Sequence, residues 1–337
     1  MSMTNGVAHG VEIYSKKLSE IIAEKKVFDH FFLFIKNVKF LSFYRLFWNF
    51  FILPFKVGKN VVYSFSSHGS PFISNQIITI HDLICLEFPK QHRFQYYYFK
   101  YLFPYIIDSS KKIIAISEFT KNEILKYYNV SEDKIEVIYN GVTKLSYIEN
   151  EETDRDFDTI VGGAPFFLTV GASYPHKNIE NLLLSIANLN NENYKFIIIS
   201  KKNEYGNYLR HIAENQQLRN VIFLNYVSDN LLARLYRDAI CNIYISLYEG
   251  FGFPPLEAAS LGTVSLVSDI PVMREVLEDH AFFVDSQNDL SIAEKLNFII
   301  QKHEDNVLPN MNCHILLEKY TWEKSAEKII ELIKKND

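Results

Sequence analysis

The chain has 337 residues, of which 48% are hydrophobic and 22% charged, a balance that excludes a disordered polymer and exceeds what one ordinary core holds. Its net charge is −5, and no nucleic-acid partner is expected. Three cysteines, Cys85, Cys241 and Cys313, stand far apart with no CxxC pair, which fits free thiols in a reducing compartment better than a disulfide framework or a structural zinc site.

Residues 1–20 contain no apolar run of signal-peptide length, so the expectation is a protein that stays in the cytoplasm. Asn5 to Gly10 reads as the glycine loop that follows a first strand, with a helix from Val11 to Lys25 behind it. Almost no sequence precedes that loop. Either the sheet lacks a central strand, or the start of the chain is not the natural one.

Phe40 to Phe55 is the most apolar stretch, but Arg45 and Asn49 interrupt it and Pro54 stops it. It falls short of the ~18 unbroken apolar residues that a membrane-crossing helix needs. Lys39, Ser42, Arg45 and Asn49 recur at helical spacing and predict a polar stripe on one face, with Pro54 ending the helix and Lys56 flanking it. Arg93 to Ile107 repeats the mixture of aromatic and basic residues. Between His30 and Ile107 eight Lys/Arg stand against two acids. Two readings follow: contact with an anionic lipid surface at the inner face of the membrane, or an aromatic core with a solvated basic rim.

Strands are expected at Ile77–Ile80, Lys112–Ile116 and Ile135–Tyr139, with Ser117 capping a helix through Tyr128. After an acidic linker, Glu149 to Asp158, the pattern resumes. Phe166–Val170 is a strand ending at Gly171, and Asn178–Leu189 an amphipathic helix. Phe196–Ser200, Val221–Leu224, Ile243–Ser246 and Val264–Val267 are further strands. Strand–helix alternation in both halves predicts two parallel α/β sheets, with ligands gathering at the carboxyl ends of the strands.

The strongest chemical signal runs from Tyr248 to Glu257. Glu249 and Glu257 lie eight apart, with Gly250 and Gly252 around Phe251 and two prolines before the second carboxylate. Prolines suit a helix's first turn, and the glycines leave backbone N–H groups open to phosphate at the helix N-terminus. Asp154, Asp156 and Asp158 formally match a metal-binding D-x-D pair, but they lie in the charged linker, and no metal site is assigned to them.

The segment resembles the E-x7-E signature of the retaining glycosyltransferases of family 4. The resemblance extends to His81-Asp82, Ser117 to Lys121, Tyr139 to Val142, Val170-Gly171 through Lys177-Asn178, Ser268 to Pro271, Glu275, and Tyr320 to Trp322. Nearly the whole chain is spanned, with the motifs in family order. The resemblance implies the GT-B fold, two Rossmann-like α/β domains across a cleft: an acceptor-side domain at 1–160, a nucleotide-sugar domain at 161–320, and a helix at 321–337 crossing back.

Carried over residue by residue, Glu257 would bind the ribose hydroxyls and Glu249 the donor sugar. Lys177 would neutralise the diphosphate leaving group in place of a metal, so no cofactor is expected. His81 would stand against the donor sugar, Gly10 near the diphosphate, and Ser117, Gly250, Phe251 and Gly252 in the donor site. Two departures stand out. Ala172 and Ser173 follow Gly171 where the family often has a basic residue, with His176 or Arg274 as substitutes, and Ile13 stands where it often has Arg. The His-Asp and Pro-x-Lys-Asn variants resemble the mannosyl and rhamnosyl branch. They point to GDP-mannose as donor and a lipid-linked saccharide as acceptor in surface-polysaccharide assembly. The alternatives are a nucleotide-sugar epimerase of the same fold and a catalytically silent nucleotide-sugar-binding partner of another transferase.

Overall fold

The computed structural model describes residues 9–27, 41–309 and 314–336. The chain divides into two compact units, one of Met1–Gly141 with Tyr320–Asp337, the other of Val142–Lys319.

In the first unit β1 (Val62–Ser64), β2 (Gln76–Ile80), β3 (Lys112–Ala115) and β4 (Ile135–Val137) lie parallel in the order β1-β2-β3-β4. All of β2 is buried, as expected of a strand covered on both faces, and Ile78 and Ile80 pack with Ile113, Phe103 and Ile106. β1 pairs directly with β2, Val62 opposite Gln76. The first helix begins at His9, so Gly10 sits in its first turn rather than in a loop. Residues 5–8 lie outside the described residues. This helix packs against the helix Trp322–Asn336, with Lys25 paired to Glu327 at 2.8 Å and Tyr14 edge-on to Trp322. Ser325 donates to the Tyr139 carbonyl at 2.6 Å, which anchors that last helix to the end of β4.

The second unit holds β5 (Phe166–Val170), β6 (Lys195–Ile199), β7 (Val221–Leu224), β8 (Cys241–Tyr244), β9 (Ser265–Ser268) and β10 (Phe282–Val284). All are parallel, in the order β10-β9-β8-β5-β6-β7. Read from β5 this is the strand order of a doubly wound Rossmann sheet, and its direction of winding reverses between β5 and β8. Phe167, Phe196, Ile198, Cys241, Ile243 and Leu266 line one buried face under the helices Ile179–Leu189 and Asp289–Glu304.

Two expectations are corrected. The acidic linker is a helix, Glu151–Val161, capped by the Asn150 side chain, which accepts from the Thr153 N–H at 2.8 Å. Thr153, Phe157 and Val161 fall on one face at steps of four, and Phe157 and Val161 pack with Phe166 and Leu168. The dense charge hid that period, and the second unit therefore begins at Val142. Asp154 pairs with Arg234 and the Tyr147 hydroxyl within this unit.

Nor does Pro54 end its helix. Leu41–Phe47 runs into a π-turn at Trp48–Ile52 and on through Leu53–Val57, which includes Lys56. The wide turn, with the Leu53 N–H bonded to the Trp48 carbonyl, lets the helix pass a proline that has no N–H to give. A second π-turn, Tyr98–Leu102, precedes Pro104 in the same way. The polar stripe also points the other way: Arg45 and Asn49 are buried, while Phe47, Phe51 and Phe55 are exposed. Lys39 lies outside the described residues, and the side chain of Ser42 likewise.

Gly141 closes the first unit where no side chain fits, because a Cβ there would overlap the backbone N and Cα of Trp322. Gly141→Ala is expected to lower stability by ~2 kcal/mol or more, since the obstacle is backbone and cannot swing aside. An unchanged denaturation midpoint in urea would show that the last helix is not held this closely.

Candidate functional site

The reversal of winding leaves a crevice outside the carboxyl ends of β5 and β8, the place where such sheets bind ligands. After β5 the chain passes Gly171 at φ 83°, then forms one 3-10 turn at Pro175–Lys177. Asn178, at φ 62°, turns the chain into the next helix and ties down through its amide to the Ser286 carbonyl at 2.6 Å. After β8 the loop through Glu249 reaches the helix Phe253–Ser260. The Leu247 N–H donates to the His176 carbonyl at 2.8 Å and stitches the two loops together.

This brings Lys177 and Glu249 into an ion pair. Both side chains are largely buried, 17% and 13% exposed. Lys177 also donates to the Tyr244 hydroxyl at 3.1 Å and lies 5.0 Å from that ring. Burial pushes the Glu249 carboxyl up, but Lys177, His176 and the hydrogen bonds from Lys177 and Tyr244 outweigh it, and the net shift is downward. An ammonium has three N–H donors, and two are used here. The third is the one a phosphate oxygen can take.

Glu257, in the second turn of its helix, accepts from the Tyr236 hydroxyl at 3.1 Å. Burial raises its pKa; the Tyr236 hydrogen bond opposes the rise and Asp229 adds to it. The two carboxylates of the motif thus sit in opposite electrostatic settings. Gly252 caps the helix at φ 96°, a left-handed conformation that favours glycine, and a Cβ there would meet only the movable end of the Met273 side chain. Phe251 is buried with its ring 5.5 Å from that of Phe253, and Gly250 is buried before it. Phe253 is the first helical residue and Pro254 and Pro255 follow, which removes two of the N–H groups that a helix start normally leaves open.

Of the two basic substitutes considered, His176 is buried close enough to Glu249 to lower its pKa, and it stacks on Tyr174 at 5.6 Å. Arg274 instead grips Asp269 through two bonds of 2.6 and 2.7 Å and covers the Phe283 ring. Tyr244 and Tyr236, which hold Lys177 and Glu257, were not legible beforehand. One ends a strand and the other lies in a helix, both outside the motif.

His81, Ser117 and Gly10 belong to the first unit. His81 follows β2 directly and donates from Nε2 to the Phe65 carbonyl at 2.9 Å, with the Tyr14 ring edge-on at 4.7 Å. Burial pushes its pKa down to about 4 despite that hydrogen bond, so the ring is neutral at pH 7. Ser117 is fully buried; its oxygen accepts from the Thr120 N–H at 3.0 Å, and it donates to the Thr120 hydroxyl at 2.9 Å, as a helix cap does. Among the described residues no cluster of three or more His, Cys, Asp or Glu has metal-binding geometry.

The pattern agrees with what known proteins share with this chain. Residues 150–312 match the family model of glycosyl transferases group 1, and residues 59–144 that of glycosyltransferase family 4. The O-antigen chain mannosyltransferase RfbU of Salmonella typhimurium is 34% identical over 247 residues, 73% of this chain and 67% of the relative. O-antigen chain mannosyltransferase B of Escherichia coli is 26% identical over 282 residues, 79% of this chain and 73% of that one. A glycosyltransferase structure from Rickettsia africae superposes with a TM-score of 0.73 over 99% of this chain and 97% of its own. At 16% identity it speaks for the fold alone.

The raised carboxyl of Glu257 has a measurable consequence. In the folded chain it holds its proton to higher pH than the unfolded value near ~4.3, so stability falls as pH rises through that window. Above the window the buried charge is a standing cost. Glu257→Gln is expected to leave Tm unchanged near pH 4 and to raise it by ~2 °C at pH 7.5. A lower Tm at pH 7.5 would mean that the charged form is stabilising.

Proposed function

The chain belongs to the group 1 and family 4 glycosyltransferases, and from that premise we propose that it transfers mannose from GDP-mannose onto a lipid-linked saccharide in surface-polysaccharide assembly. Transfer retains the anomeric configuration and needs no metal. The observation that carries this reading is the Lys177–Glu249 pair at the point where the strand order reverses. The mannosyltransferase relatives support the choice of sugar and pathway.

In this reading Glu257 binds the ribose hydroxyls, and the third N–H of Lys177 meets the diphosphate as charge develops on it. Stabilisation of that kind counts in the transition state, where a dry, prearranged cation is worth most. Glu249 orients the ammonium and offers its second oxygen to the donor sugar. His81, neutral at working pH, acts as a hydrogen-bonding group to saccharide hydroxyls rather than as a proton carrier. Activity is expected to persist in EDTA with an α-linked product from the α-linked donor. Lys177→Ala should lower kcat ~100-fold or more at saturating GDP-mannose, whereas Glu257→Ala should chiefly raise the donor KM. Activity restored only by manganese or magnesium after chelation would overturn the metal-free route. Donor consumption without acceptor would point to an epimerase.

The same reading includes docking on an anionic membrane surface. No described helix is long and apolar enough to cross a membrane. Phe55 is 88% exposed and Phe94 86%, and Phe47, Phe51, Tyr97, Tyr101 and Tyr105 are exposed with them. Lys56 and Lys100 lie over the Trp48 and Tyr96 rings, where a basic side chain can reach headgroups while its aromatic neighbour enters the interface. Flotation with phosphatidylglycerol liposomes at low salt is expected to carry the wild type, and Phe55→Ser with Lys56→Glu and Lys100→Glu to stay below. Wild type left wholly in the soluble fraction would end this part of the proposal.

A further inference from the structure

Arg45 is a cation taken out of water with no anion to meet it among the described residues. The residue is 8% exposed, its Nε has no hydrogen-bond partner, and no carboxylate pairs with it among the described residues. Among the described residues a terminal nitrogen donates to Nε2 of His68 at 3.2 Å. For that, His68 must carry its proton on Nδ1, which donates to the Ser66 hydroxyl oxygen at 3.1 Å. Burial, then Arg45 and His81, push the His68 pKa down to about 3, so the imidazole stays neutral and supplies no charge. Buried guanidinium groups are otherwise found paired, because leaving one unpaired is strongly unfavourable.

The surroundings are a built polar site. Asn49 reaches the His68 carbonyl at 3.4 Å, and Tyr98 stacks on the His68 ring while its hydroxyl donates to the Ser67 carbonyl at 2.9 Å. Asn49 and Tyr98 come from the two π-turns. The loop 65–68 that they clamp follows β1, and it receives the His81 hydrogen bond from the end of β2. Arg45 thus stands at the carboxyl edge of the first sheet, near His81. The two helical segments that supply these polar groups also carry the exposed aromatic rings. They line, through Phe50, Leu102 and Tyr105, an apolar depression of about 420 Å³.

We propose that Arg45, set by Asn49, His68 and Tyr98, is an oxyanion site that takes a phosphate of the acceptor, an amphiphile in which phosphate joins a hydrocarbon chain to the saccharide. The guanidinium fork supplies the charge-assisted hydrogen bonds, and the apolar depression lined by Phe50, Leu102 and Tyr105 of the same two helical segments receives the hydrocarbon. This rests on the lipid-linked acceptor of the proposed function. It also explains the inside-out helix, since a polar stripe turned inward is tolerable when it serves a ligand.

The test is binding without donor or turnover, so that its failure is separable from failure of the transferase reading. Protein labelled with 15N-arginine is titrated with geranyl diphosphate, inorganic pyrophosphate, geraniol and GDP while the Arg45 Nε–H resonance, assigned with Arg45→Lys, is followed. Geranyl diphosphate is expected to shift it at the lowest concentration, pyrophosphate at higher concentration, and geraniol not at all. Arg45→Met is expected to bind geranyl diphosphate ~10-fold more weakly or worse without a lower Tm, since it removes an unpaired buried charge. If Arg45→Met does not fold, the wild-type titration decides alone. An Arg45 resonance that no phosphate probe moves, or undiminished geranyl diphosphate binding by a folded Arg45→Met, would sink the proposal. A response to GDP as strong as to geranyl diphosphate would also sink it, by assigning the anion to the donor.

Discussion

The reversal of strand order between β5 and β8 is the constraint from which the chemistry of the second unit follows. Helices leaving two adjacent parallel strands toward opposite faces cannot both cover the strand ends, so a crevice remains. The loops after β5 and β8 border it, and a lysine from one meets a glutamate from the other although 72 positions separate them in the chain. The left-handed residues Gly171, Asn178 and Gly252 are all in these loops, where the backbone must turn sharply at strand and helix ends.

Charge removed from water is handled differently in the two units. In the second, Lys177 and Glu249 compensate one another, with Tyr244 bridging, so the Glu249 carboxyl stays ionised in spite of burial. In the first, Arg45 has a neutral histidine and, among the described residues, no counter-ion. A compensated pair is ready to orient a substrate and can be stable by itself. An uncompensated cation is complete only when an anion arrives. Glu257 lies between these extremes, with a tyrosine hydroxyl to hold it and, among the described residues, no cation paired with it.

The helical stretch from Leu41 to Val57 reverses the usual rule for amphipathic helices. Arg45 and Asn49 face the protein and Phe47, Phe51 and Phe55 face outward, while Trp48 and Phe50 pack partly inward. Two prolines, each passed by a π-turn, recur in the two aromatic segments. A π-turn rotates the residues after it relative to those before, and here Asn49 and Tyr98 in these turns face the same buried loop.

By itself the sequence determined the fold class, most strand positions to within two residues, and the identity of Lys177, Glu249 and Glu257 as the chemical candidates. These are local or motif-borne properties: buried β-branched runs, glycines at turns, prolines at a helix start. Where sequence reasoning erred, the competing signal was also local. High charge masked the four-residue period of Thr153, Phe157 and Val161, and Pro54 read as a stop because a π-turn leaves no mark in composition. Only the tertiary structure decided which way Arg45 and Asn49 face, that Tyr244 and Tyr236 hold Lys177 and Glu257, and that the pKa values of the motif's two glutamates are shifted in opposite directions. Each depends on partners brought together from distant strands, and burial and pairing, unlike spacing, exist only once the chain is folded.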